Sequence, residues 1–415
     1  MPKMLYNCHG SWSCRGIEAA DGRIIHAAGF AEKRDCTGAA SEGFGIVDCD
    51  PLVWNLPYDP HATVCNKIAT HAFLPIATPR FEDWHGKESE WIAAAIAPVV
   101  SADWPPPLPS TTGDIEGFIV DCLTWQGRLQ PTLLTVPTPP LAGATPDLDA
   151  FLKWLRAGTR AASYLQPSET TLLSVTVEEG LLSTVGDVLL DQITAREGID
   201  GVYLNVVTHK TELGERITQD VATSLVRFVR DLAPHRRVFV NGVDLFGLVL
   251  LGAGAEGIGI GYELKGMRLN TNDFKDTNSR GAFPRMLSLA LCKRLALAEI
   301  EVLRNVGLLD RLESDRTDSS SVLLDAIRDR RDLRTIIPWR PTKGTVGEAR
   351  RHYILRHEGV KRELDPMSQR ERWEWVAGWL DTCDANISDF CQATGKRPQQ
   401  VGAGHVSAWR EAVSK

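Results

Sequence analysis

Polar side chains standing just after short apolar runs are the first feature of this chain that suggests chemistry. Asp48 and Asp50 follow one run, Arg80, Asp83, Trp84 and His85 another, and Asp121, with Trp125 beyond it, closes a third. Glu178 with Glu179, His209 with Lys210, and Asn241 with Asp244 occupy the same kind of position further on. Several carboxylates near one histidine or lysine make a general acid/base site, because mutual charge holds one group protonated near neutral pH. On this pattern Asp121, Glu178 and His209 are expected to be catalytic. Each position also has a plainer reading. Asp48, Asp50 and Asp244 equally suit helix N-caps or turns. Glu178 and Glu179 suit the start of a helix, where the dipole favours carboxylates, and His209 with Lys210 suits an exposed pair. His85 fits a helix start, whereas His9 and His26 stand in no pattern and read as structural or exposed.

The elements that must carry these residues are short β-rich runs alternating with amphipathic stretches from about residue 44 to 262, the pattern of βαβ units. Strands are expected at Phe44–Asp48, Ala72–Ala77, Gly117–Cys122, Thr132–Val136, Thr171–Val177, Gly201–Val206, Arg237–Val240 and Gly257–Gly261. Helices are expected at Glu88–Val100, Leu148–Leu165, Val185–Glu197, Ile217–Ala233 and Asp244–Leu251, where apolar residues recur every three or four positions. Eight near-continuously apolar strands predict an α/β fold, a (β/α)8 TIM-like barrel. The barrel is irregular over 101–147, where WPPPLP and VPTPP break helices and QGR suits a hairpin turn; an open doubly wound sheet is the alternative. Beyond residue 262 the pattern turns helical, at Phe283–Val306, Ser320–Arg331, Val346–Leu364, Ser368–Thr394 and His405–Val413, with Thr335–Trp339 as a late strand or buried loop. The expected division is a barrel over 1–264 and a helical C-terminal region over 265–415.

The densest motif is RVFVNGVDLFGLVLLGAGAEGIGIG, residues 237 to 261. It resembles the strand-seven to strand-eight region of phosphate-binding TIM barrels, where small residues let backbone N–H groups approach a phosphate. That resemblance implies substrate binding by Asn241, Gly242, Gly259 and Gly261, joined by Arg268 just beyond; close helix–sheet packing is the other use of such glycines. Neither GxGxxG nor GxxxxGK[ST] is present, and no cofactor is indicated. The barrel order, this segment and a later basic stretch with Arg350, Arg351, His352, Tyr353 and Arg356 also look like the layout of tRNA-guanine transglycosylase-like proteins. That family implies base exchange on a nucleic acid through an aspartate, with a cysteine-rich zinc site. The sequence before His352 has no cysteine and the last strand ends in Gly259 and Gly261, so neither zinc nor that catalysis carries over.

Composition limits the partners. The 415 residues carry 46 Lys and Arg against 53 Asp and Glu, a net charge of −7, unlike a surface that grips nucleic acid everywhere. The charge is uneven: residues 1–264 are net −13, residues 265–362 net +8 and residues 363–415 net −2. Lys265, Arg268, Lys275, Arg280 and Arg285 follow the last strand, where a ligand phosphate would be reached. Mixed-sign stretches such as Asp325–Arg334 read as solvated helix faces. Trp373, Trp375, Trp379 and Trp409 read as helix packing. Nine cysteines without a C-x-x-C pair suit reduced thiols, and Cys8, His9 and Cys14 match no standard zinc spacing, so no metal is expected. No run of about 18 apolar residues and no signal-peptide core is found, so a cytoplasmic protein without membrane contact is expected. Two functions follow. One is a TIM-barrel enzyme acting on a phosphate-bearing or nucleotide-like substrate. The other is a transglycosylase-like barrel, catalytic or not, that binds nucleic acid or a protein partner through the basic segment.

Overall fold

The structure, a computed structural model, describes residues 1–8, 20–29, 44–54, 56, 58, 63–76, 78, 87–165, 170–208, 217–263, 268–270 and 282–414. Eight parallel strands close into a barrel: β1 (Lys3–Cys8), β2 (Gly22–His26), β3 (Phe44–Asp48), β4 (Leu133–Val136), β5 (Thr170–Glu178), β6 (Gly201–Val207), β7 (Arg237–Asn241) and β8 (Gly257–Ile260). Closure is made by β1, which pairs with β2 through Leu5↔Gly22 and with β8 through Leu5↔Gly259. A ring of parallel strands with interleaved helices is a (β/α)8 TIM-like barrel, which removes the open-sheet alternative.

The longer helices are α1 (Ala97–Asp103), α2 (Thr112–Arg128), α3 (Leu148–Ala162), α4 (Leu182–Thr194), α5 (Gln219–Leu232) and α6 (Phe246–Ala253), then α7 (Leu297–Asn305), α8 (Asp318–Arg328), α9 (Gly347–Leu364), α10 (Gln369–Thr394) and α11 (His405–Ser414). A π-turn at Ile92–Ile96 joins Glu88–Trp91 to α1. The apolar faces of α3 and α5 pack inward through Phe151, Trp154 and Leu155, and through Leu225, Phe228 and Leu232. One continuous core runs from these helices into the C-terminal region, where α10 packs on α6 and α11 on α5.

Six of the expected strands are present and two are not. Gly117–Cys122 lies inside α2, because its apolar residues belong to a longer helical face: Ile115, Phe118, Ile119, Cys122 and Leu123 are all buried. Thr111 caps that helix by accepting from the Asp114 amide at 3.3 Å, which fixes its start just past the proline run. Ala72–Ala77 is a turn over its described residues. The missing places are taken by β1 and β2, short strands in which polar residues interrupt the apolar run. Phe283–Val306 is likewise not one helix. It opens with an antiparallel hairpin, β9 (Arg285–Ser288) and β10 (Lys293–Ala296), because Asp315 accepts from the turn amides of Leu289 and Ala290 and holds the turn. Thr335–Trp339 forms two short 3-10 turns with Trp339 buried. The boundary expected at 264/265 falls outside the described residues. Among those described, no helix is long and apolar enough to cross a membrane.

Candidate active site at the barrel mouth

Side chains alternate along a strand, so every second residue points into the barrel. Leu5, Ile24, Ile46, Leu133, Leu172, Tyr203 and Phe239 form an apolar layer there. Two residues further along their strands stand Asn7, His26, Asp48, Asn205 and Asn241, all buried. The interior therefore changes from apolar to polar within one step, at the C-terminal ends of the strands, where barrels place their reaction centres.

These side chains bond to one another in a ring. His26 Nδ1 donates to Asp50 Oδ1 at 2.8 Å and His26 Nε2 to Asn7 Oδ1 at 3.0 Å. Asn7 Nδ2 donates to Asn241 Oδ1 at 2.8 Å, and Asn241 Nδ2 to Tyr203 OH at 2.9 Å and Asn205 Oδ1 at 3.1 Å. Asn205 Nδ2 and the Tyr203 hydroxyl both donate to Asp48. Asp50 closes the ring: its amide donates to Asp48 Oδ1 at 2.8 Å, while its own Oδ2 accepts from the Ala28 amide at 2.7 Å. Every bond has a consistent direction, running from the imidazole through three amides to the Asp48 carboxylate. Both ring nitrogens of His26 face acceptors, so the arrangement calls for a doubly protonated imidazolium.

Burial and charge agree with that reading. Burial alone would lower the His26 pKa, but the charge and hydrogen bond of Asp50, with the charge of Asp48, outweigh it and raise the pKa. Asp48 is pushed up to about 6 by burial and by the charge of Asp50, against the pull of His26 and its hydrogen bonds. Burial and the two carboxylates push the Tyr203 hydroxyl well up, so it remains a donor. A buried imidazolium with two carboxylates, one titrating near neutrality, can take up or release a proton at that carboxylate. His26, Asp48 and Asp50 are also, among the described residues, the group whose ligand atoms lie within 4.8 Å of one another, a spacing that fits a metal ion. An ion there would have to replace the proton on a His26 nitrogen.

The residues expected from sequence divide. Asp121 is corrected: it lies on the exposed face of α2, not at a strand end, because its run is helical. Glu178 ends β5 at the rim and accepts from the Gly143 amide at 2.7 Å. His209 and Lys210 lie outside the described residues, as do His9, Cys14, Arg80, Asp83, Trp84, His85, Lys265, Lys275 and Arg280. Asn241 is part of the ring. Gly242 follows it at φ 79°, and Arg268 lies alongside, its backbone bridged to Val243. Gly259 is glycine for a packing reason, since a Cβ there would sit 2.2 Å from Asn241 Oδ1. Gly261, just past β8, is buried beside these residues. Thus Asn241, Gly242, Gly259 and Arg268 meet at one edge of the mouth.

His26, Asn7, Asn205 and Tyr203 were not singled out by sequence. A signal existed: Leu5-Tyr6-Asn7, Tyr203-Leu204-Asn205 and Phe239-Val240-Asn241 each put an asparagine two residues after an inward apolar one. At the opposite end of the barrel, a groove lined by Asp200, His235, Arg236, Arg237 and Glu256 contains a half-exposed Arg237–Glu256 ion pair. That is the end of such barrels that serves stability. Fold and polar layer together define a (β/α)8 barrel with a charged, hydrogen-bonded mouth. No protein-family model matches the chain and no curated protein matches it, so the functional reading rests on geometry.

Proposed function

We propose that the chain is a barrel enzyme whose mouth performs acid/base chemistry on a phosphate-bearing or nucleotide-like substrate. The observation that carries this is the clamp on His26, held between Asp50 and Asn7 with Asp48 Oδ2 only 3.8 Å from Nδ1. Asp48 moves the proton, Asp50 orients the ring, and His26 supplies positive charge. Glu178 stands at the rim for contact with substrate. Arg268, beside Gly242 at the edge of the mouth, supports the phosphate-bearing class. Among the described residues His26 is the one cationic group of the inner layer, so the phosphate belongs at the edge and the reacting group over the layer. The described free cysteines suit a reducing compartment such as the cytoplasm.

The second reading, a transglycosylase-like barrel that holds nucleic acid or a protein through its basic segment, draws less support. Much of the charge on α9 is turned inward: Arg350 pairs with Glu263, Arg356 with Asp315, and Lys361 with Asp21 and Asp365. Calorimetric titration with inorganic phosphate and a nucleoside monophosphate, beside RNA and DNA filter binding over a salt series, separates the two. Binding of the small ligand that weakens about tenfold in Arg268→Ala supports the enzyme reading. Nucleic-acid binding with a steep salt slope and no binding of either small ligand would replace it with the second.

A further inference from the structure

A second buried charged group lies where the C-terminal region meets the ends of β7 and β8. After Asn241 the backbone turns through Gly242 at φ 79° and Asp244 at φ 41°. Positive φ is uncommon outside glycine, and aspartate is among the residues that adopt it most readily, so what fixes this turn is what Asp244 is bonded to. The holders come from far along the chain. The Tyr353 hydroxyl, on α9, donates to Asp244 Oδ1 at 2.9 Å, and Arg294, on β10, pairs with Asp244 Oδ2 at 3.3 Å. Arg294 Nη1 also donates to the Tyr262 carbonyl, past β8, at 3.0 Å. Tyr353 and Arg294 together thus tie the ends of two neighbouring strands. The Tyr353 ring is buried and packs edge-on to Tyr262, so the ring serves packing and the oxygen serves the turn.

Asn241, the residue this turn follows, is the amide that joins the two halves of the polar ring. On one side it accepts from Asn7, the partner of His26; on the other it donates to Tyr203 and Asn205, the partners of Asp48. We propose that Tyr353 is a positioning residue for the mouth: with Arg294 it holds Asp244, and through the Asn241–Asp244 turn it sets the amide that connects His26 to Asp48. The C-terminal region would then be part of the site's machinery, not a cover for the barrel's side. This rests on reading the polar layer as the reaction centre, and the test reads the layer itself.

In the full-length protein labelled with ¹⁵N-histidine, the His26 clamp gives two exchange-protected ring N–H signals, assigned by their loss in His26→Gln. In Tyr353→Phe the Nε2–H signal, on the Asn7 side, exchanges about tenfold faster while Nδ1–H, on the Asp50 side, changes less. Asp244→Asn gives the same pattern. Trp379→Phe, which removes a 2.9 Å bond to the Leu289 carbonyl in the same region, leaves both signals unchanged. The proposal is overturned if Tyr353→Phe lowers the melting temperature as Trp379→Phe does but moves neither signal, since the hydroxyl is then a structural tie alone. A wild-type spectrum with one protected His26 N–H sinks the reading of the polar layer instead.

Discussion

Among the described residues, two of the places that bury carboxylates, the barrel mouth and the hairpin of the C-terminal region, are built on opposite plans. In the C-terminal region Asp315 accepts from the Ser288 hydroxyl at 2.6 Å and from two turn amides, and faces Arg356 at 3.4 Å. One acid meets one permanent cation and fixed backbone donors, so the group does no more than knot a hairpin to α9. At the mouth, Asp48 and Asp50 share a single imidazole, and most of their donors are side chains from other strands. Burying two acids against one titratable base costs stability unless a proton is shared, and nothing about holding the barrel together requires it. A charge imbalance in a hydrogen-bonded network separates the candidate site at the mouth from the staple at Asp315.

The difference can be broken most directly by removing the staple. Asp315→Ala leaves Arg356 and the hairpin amides without their acceptor, and urea unfolding should show a loss of about 3–5 kcal/mol. A loss under about 1 kcal/mol would mean the hairpin is held otherwise. The next effect depends on pH. Asp48 in the folded protein titrates at about 6, above its ordinary value, so the folded state binds its proton more tightly and loses stability as pH rises from about 4 through 6, by up to about 3 kcal/mol. His26, with its pKa raised, contributes stability below about 6.5 that is lost as pH climbs through its folded value, so both run the same way. Thermal melts of Asp48→Asn should therefore gain on the wild type between pH 4 and 7. Parallel curves would show that Asp48 is an ordinary carboxylate. Smaller again is Gly259→Ala, whose Cβ would meet Asn241; a destabilisation of about 1–3 kcal/mol is expected, partly recovered when Asn241→Ala is added. Additive effects in that cycle would contradict the packing. The smallest is Asp121→Asn on the exposed face of α2, expected to change stability by under about 0.5 kcal/mol and ligand binding not at all.

What could be read without the structure follows from how local each signal is. Six strands from Phe44 onward were legible because each is an apolar run bounded by turns. β1 and β2 were not: their inward positions already include Asn7 and His26, which break the run and belong to the polar layer proposed as the site. Gly117–Cys122 satisfies both periods over six residues, and only the cap at Thr111 and the longer spacing decide for helix. Asp48 and Asp50 were visible as strand-end acids, but turn and site readings weighed equally there. Choosing between them needs His26, which lies 24 residues from Asp50, and Asn205, which lies 157 residues from Asp48. The glycines of β8 were conspicuous, yet Gly259 is explained by its neighbour's side chain.

The pairing of β1 with β8 also constrains how the chain comes to fold. Lys3 to Tyr6 find Gly257 to Ile260, so the ring closes across some of the longest sequence separations in the molecule. At synthesis rates of ~5–20 residues per second, roughly 10–50 s pass before the second partner exists. Throughout that interval His26, Asp48 and Asp50 can meet, being close in sequence, but Asn7 has no Asn241. The charged half of the mouth thus draws on residues made early, whereas its amide half waits for the closing pair of strands, so the long-range closure that topology makes costly is also what completes the polar ring.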